Sequence, residues 1–208
     1  MRRFQSGALL LLALAPAFGQ PPLPGLRIEA TAGGSIFYIH NSSSQPLTAY
    51  LIELVNYPGS SYSLWQDDAA GESIPPGGER RTPISNMTVG AVPDYVKMQA
   101  AIFADGSSSG IPEKVTALIE RRRATLDTTR ELIRRLEAGQ SPADLKQWSE
   151  SMPALPRAQR NSQAAINQAA SKGLIGETAA QLGTRSAADA LAALRTKERA
   201  LAASKPVL

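Results

Sequence analysis

The sequence predicts an α+β chain with segregated parts: an antiparallel β-sandwich first, then an α-helical region. Two contrasts carry this reading. Residues 20–110 hold ten Gly, nine Pro and eight aromatics, whereas residues 111–208 hold four Gly, five Pro, one aromatic and 20 Ala. Aromatic, turn-rich sequence favours strands, and Ala-rich, Gly-poor sequence favours helices. Charge divides at the same point. The first segment has four Lys/Arg against eight Asp/Glu, net −4; the second has sixteen against ten, net +6. Arg2 and Arg3 complete the total of +4.

Residues 1–19 read as an export signal peptide. Arg2 and Arg3 precede the apolar run Ala8–Ala15, which is too short to span a bilayer. Ala15-Pro16-Ala17 would direct cleavage before Phe18; Ala17-Phe18-Gly19 would direct it before Gln20 and is preferred, leaving a Pro-rich segment over 20–25. No later stretch reaches about 18 consecutive apolar residues, so no transmembrane helix is expected in the mature chain.

Over 26–110, six strands are expected: Leu26–Thr31, Ile36–His40, Pro46–Val55, Tyr62–Trp65, Arg80–Ile84 and Val96–Phe103. Asn41-Ser42-Ser43-Ser44-Gln45 is a polar reversal, since Asn and Ser bond their own backbone. Pro75-Pro76-Gly77-Gly78 is a second turn. Short strands between turns, with no helical spacing, suggest a sandwich. Glu53 inside the apolar run should face solvent by strand alternation.

Over 111–208, Pro112 suits a helix start. Val115, Leu118, Ile119, Leu126, Ile133 and Leu136 recur at helical spacing, and Gly139 stops the helix. Ser141-Pro142-Ala143-Asp144 opens a second helix, ended by Pro153 and Pro156. Two more are expected over Arg157–Ser171 and Ser186–Ala203, with Gly173, Gly176 and Gly183 between them. Their Ala-rich faces bury little area, so a small bundle or an arm packed on the sandwich is expected.

Asn41-Ser42-Ser43-Ser44-Gln45-Pro46-Leu47-Thr48-Ala49-Tyr50 resembles the Asn-x-Ser…Pro-Ile-Thr-x-Tyr segment of small exported bacterial Ig-like domains. Pro76-Gly77-Gly78-Glu79 is similar to their Pro-Gly-Glu turn. Ala100-Ala101-Ile102-Phe103-Ala104-Asp105-Gly106-Ser107 resembles a late strand of uncharacterised secreted bacterial proteins in which Asp-Gly precedes a helical tail. The resemblance covers about residues 26–125. It implies an Ig-like sandwich and carries no activity with it. The chain departs from the pattern at Ile111-Pro112, where a polar helix cap would stand.

Chemistry is narrowed by absence. With no Cys and one His, the chain has no disulfide, thiol nucleophile, thiolate zinc site, lipidated cysteine or multi-histidine metal site. Gly106-Ser107-Ser108-Ser109-Gly110 matches G-x-S-x-G, with Ser108 as nucleophile. However, that motif needs a later base and a parallel core, and His40 lies earlier. The plainer reading is a flexible Ser/Gly turn. Asp105, Ser107 and Ser109 could start a calcium loop with Glu113 ninth, but the twelfth position is Thr116 where such loops use a bidentate Glu. Asp67, Asp68 and Glu72 form an acidic cluster read as a solvated loop. Arg121, Arg122, Arg123, Arg130, Arg134 and Arg135 interleave with Glu120, Asp127, Glu131 and Glu137. Arg123–Asp127 and Glu131–Arg135 attract at i,i+4, and Asp127–Glu131 repel. The reading is a solvated, ion-paired face, with docking on the acidic sandwich or an anionic envelope surface as the alternative. Asn41-Ser42-Ser43 and Asn86-Met87-Thr88 match glycosylation acceptors that a bacterial-type signal gives no reason to use.

These readings converge on an exported, non-enzymatic binding or structural module of the periplasm or cell envelope. Its expected partner is a protein or envelope surface, with no cofactor and no nucleic acid. A calcium-dependent adhesion module and a hydrolase using Ser108 are the competing readings.

Overall fold

The computed structural model describes residues 20–57, 61–85, 93–159 and 161–206. The expected signal peptide and the motif at Asn86 lie outside the described residues. Within them, seven strands precede four α-helices. The strands are β1 (Gly25–Thr31), β2 (Gly34–His40), β3 (Leu47–Leu54), β4 (Ser63–Asp67), β5 (Glu79–Ile84), β6 (Val96–Phe103) and β7 (Ser108–Gly110). The helices are α1 (Pro112–Glu137), α2 (Pro142–Ser151), α3 (Gln163–Leu182) and α4 (Ala187–Ala203). The chain is thus α+β with its two kinds of structure segregated. None of the described helices is long and apolar enough to cross a membrane.

The strands form two antiparallel sheets, ordered β1-β2-β5 and β4-β3-β6-β7. They meet through a shared core: Phe37 and Ile39 from the first sheet, Leu47, Tyr50, Ile52, Val96, Ala101 and Phe103 from the second. Asn41 anchors the crossing between them. Its amide donates to the carbonyls of Gln45 (2.8 Å) and Ile74 (2.9 Å), and its oxygen accepts from Ser43. Buried at 0% exposure, it is a structural pin and not an open acceptor.

β3 and β6 are buried on both faces. The opposite face of the second sheet, with Ala49, Leu51, Ala100 and Ile102, packs on Leu118, Val115 and Ile119 of α1. That double burial explains the largely apolar run of β3. It also corrects the expectation for Glu53. Its carboxylate does not simply face water; it accepts from Lys114 Nζ of α1 at 2.7–2.9 Å.

The Ser/Gly stretch also differs from expectation. Asp105 accepts from the Ser107 amide (2.9 Å) and hydroxyl (2.6 Å), closing a tight turn, and residues 108–110 continue as β7. Gly110 has φ +103°, and a Cβ there would lie 2.8 Å from Ala100 Cα and collide with the Gln99 carbonyl. Only glycine lets β7 close on β6 and still turn into the helix.

α1 begins at Pro112 with no side-chain cap from Ile111. Its first half covers the sheet. Its second half supplies Leu132, Ile133 and Leu136 to a helical core with Leu145, Leu174, Ile175, Ala190 and Leu194. A single helix therefore belongs to two cores. α2 opens with the expected Ser141–Asp144 capping box.

α3 corrects the expected span of Arg157–Ser171. A short 3-10 turn occupies Arg157–Gln159, and the helix runs from Gln163 through Gly173 and Gly176 to Leu182. Each internal glycine costs about 1 kcal/mol relative to alanine. Burial of Leu174, Ile175 and Thr178 against the other helices offsets that cost.

Candidate functional site

The centre of the molecule is an arginine. Position 122 lies four residues after Leu118 and four before Leu126, on the face α1 turns inward. Arg122 is fully buried, at 0% exposure. Its Nε donates to Asp67 Oδ2 at 2.9 Å, Nη1 to the Lys205 carbonyl at 2.8 Å, and Nη2 lies 3.3 Å from Thr48 Oγ1. One guanidinium thus ties α1 to β3, to the end of β4 and to the segment after α4. That segment also packs against Gly106, where φ is +90° and a Cβ would lie 3.0 Å from Lys205 Cβ.

Asp67 and Asp68 are therefore not a solvated pair, as their adjacency suggested. Asp67 has a side-chain exposure of only 10% and faces Arg122. Asp68, equally covered, forms an ion pair with Arg80 and accepts from Gln66 Nε2. Asp67 ends β4 and Asp68 begins the following turn, and each meets a different arginine. Glu72 contributes its backbone carbonyl to Arg80.

Beside Arg122 lies a cleft of about 540 Å³ between β4 and helices α1, α3 and α4. Trp65, Ile166, Leu174 and Leu201 give it apolar walls, and Arg121 and Lys197 supply cations. Neither cation has a side-chain hydrogen bond or ion pair among the described residues. Burial holds the Arg121 guanidinium below its ordinary pKa, an effect opposed by nearby Asp67. The acids on the wall are otherwise engaged: Asp67 with Arg122, and exposed Glu177 as acceptor from Gln181. A second hollow of about 690 Å³ shares Ser63, Trp65 and Ile166 with the first. Its charges include the matched pair Glu53–Lys114.

The remaining candidates are dispersed. Asp105, Ser107 and Ser108 line a hollow of about 490 Å³ with Pro21, Pro22 and Ser44. The Ser107 hydroxyl and then its amide hold the Asp105 carboxyl below the usual range. Ser109 is buried, and its hydroxyl has no hydrogen-bond partner among the described residues. Glu113, at the start of α1, lines the second hollow instead. The structure thus joins Asp105 to Ser107 but does not gather all four. Ser108 lies in a strand, not at a strand–helix elbow, and His40 ends β2. No side-chain bond connects Ser108 to a base among the described residues.

The other arginines of α1 follow the ion-paired reading in part. Glu131 receives Arg134 and Arg135, each at 2.6 Å, while Asp127 faces Arg130 at 4.0 Å and not Arg123. Arg130–Glu198 (3.1 Å) and Arg195–Glu137 (2.7 Å) bind α1 to α4. No family model, curated protein or solved structure matches the chain.

Proposed function

We propose that this chain is an exported, non-enzymatic binding module of the periplasm or cell envelope, built on an Ig-like sandwich whose helical region walls a ligand cleft. The observation that carries the binding reading is the cleft beside β4, which holds a half-buried guanidinium, Arg121, with no ion pair or side-chain hydrogen bond among the described residues. Cavities of roughly 300–1,000 Å³ with apolar walls and a few polar groups are the usual form of small-ligand sites. The strand order supports the Ig-like reading: β1, β2 and β5 occupy the places of A, B and E, and β4, β3, β6 and β7 those of C′, C, F and G. The short basic and apolar stretch at the N-terminus supports export.

Fractionation of a bacterial host expressing the full chain tests the location. Mature protein beginning at Gln20 or Phe18 in the periplasmic or envelope fraction is the expected result. Full-length protein with residues 1–19 intact in the cytosol would overturn export. For the binding reading, Ala169→Trp places a large side chain on the cleft wall. It should abolish saturable ligand uptake without lowering the melting temperature.

A further inference from the structure

We propose that the cleft takes a small amphiphilic anion, with an oxyanion head at Arg121 and Lys197 and an apolar body along Trp65, Ile166, Leu174 and Leu201. This rests on the reading of the cleft as a binding site and adds the chemistry of its occupant.

The argument is one of charge already spent and charge left over. Arg122 has Asp67, Arg80 has Asp68, and Lys114 has Glu53. Arg121 borders the same acidic strand end, but the Asp67 carboxylate is committed to its neighbour. Nearby Asp67 attracts Arg121 only through space, so the half-buried guanidinium, with no ion pair or side-chain hydrogen bond among the described residues, lacks a bonded counter-charge for the hydration it loses. A carboxylate or phosphate supplies that counter-charge, and the guanidinium fork suits either through paired hydrogen bonds. Lys197, on α4, lines the same cavity and adds a second positive charge. Glu177 is the opposing charge. It lies exposed on the wall, bonded to Gln181 at 3.1 Å, and favours a singly charged head over a polyanion. The aliphatic and indole walls then select an apolar body. The neighbouring hollow lacks this imbalance, because its lysine is paired.

Calorimetric titration of the full chain with decanoate, decyl phosphate and decylammonium tests the proposal. Decanoate or decyl phosphate should bind saturably and at least tenfold more tightly than decylammonium. Decanoate should be the tighter of the two, because a phosphate monoester carries about −1.5 to −2 at pH 7 and Glu177 opposes the extra charge; tighter decyl phosphate would overturn the preference for a singly charged head. Arg121→Gln should weaken the anion about tenfold or more and leave decylammonium unchanged. Lys197→Gln, at a partly buried position of α4, should weaken it several-fold and provides a second variant should Arg121→Gln disturb folding. Equal binding of anion and cation, blocked by Ala169→Trp but indifferent to Arg121→Gln and Lys197→Gln, would overturn the anion class and keep the cleft. No saturable binding of any probe at millimolar concentration would overturn both.

Discussion

Replacing Arg122 with methionine removes a charge from the point where sheet and helices meet. The side chain is wholly inaccessible, and its partner Asp67 keeps only 10% of its side-chain surface in water. Arg122→Met therefore leaves a covered carboxylate without its cation and the Lys205 carbonyl without its donor. Thr48 suffers less, since its hydroxyl still donates to the Ile102 carbonyl at 3.0 Å. Breaking a buried ion pair from one side costs about 3–5 kcal/mol. For a chain of this size each kcal/mol lowers the melting temperature by about 2–4 °C, so a fall of roughly 6–20 °C is expected. Urea unfolding followed by circular dichroism gives the free energy through the midpoint, provided the slope is unchanged. The double variant Arg122→Met/Asp67→Leu should recover most of the loss, because an apolar pair in place of a buried ion pair is often neutral or better. A single-variant loss below 1 kcal/mol would refute the account. So would a double variant that loses the full sum of both singles, since residues in one network should couple.

Leu118→Ala should cost about 2–5 kcal/mol, because Leu118 is buried where α1 meets the sheet and a cavity would open there; chemical denaturation measures it. Gly110→Ala should destabilise by more than about 1 kcal/mol, since a Cβ meets the β6 backbone at a left-handed φ; an unchanged melting temperature would contradict this. Acid should weaken the fold through Glu131, Asp105 and Asp144, whose carboxyls are held low by Arg134, by Ser107 and by the Ser141 amide respectively. A depressed folded-state pKa stabilises above the unfolded value and loses that contribution as pH falls through the folded one, so the loss lies below about pH 4. Glu131→Gln should make the fall in urea midpoint between pH 5 and pH 3 shallower, and an identical slope would show that the pairing contributes nothing.

Strand positions were legible because apolar runs and turn residues alternate clearly over residues 26–110. The start of α2 was legible because Ser141 and Asp144 form a cap that depends on four consecutive residues. What escaped depends on tertiary partners. Gly173 and Gly176 read locally as breakers, and only the packing of Leu174 and Ile175 explains the helix that passes through them. Asp67 and Asp68 read as solvated because their arginines lie 55 and 12 residues away. Arg122 did carry a signal: its spacing from Leu118 and Leu126 puts a cation on the apolar face of α1. Grouped with its arginine neighbours as a surface run, that signal was lost. The cleft had no local signature, because Trp65, Arg121, Ile166 and Lys197 come from four elements.

The Arg122 junction also has a time order. Thr48 and Asp67 are synthesised before Arg122, and Lys205 follows it by 83 residues. At about 5–20 residues per second, the last acceptor reaches the growing chain roughly 4–17 s after the guanidinium. During that interval the β3 and β4 partners already exist, and the segment behind α4 does not. Arg122 can therefore seat α1 on the sheet first, and the closing segment completes its hydrogen bonding as a late step. A pulse-labelled chain should resist protease in the sheet strands and the first half of α1 before it does so beyond α4.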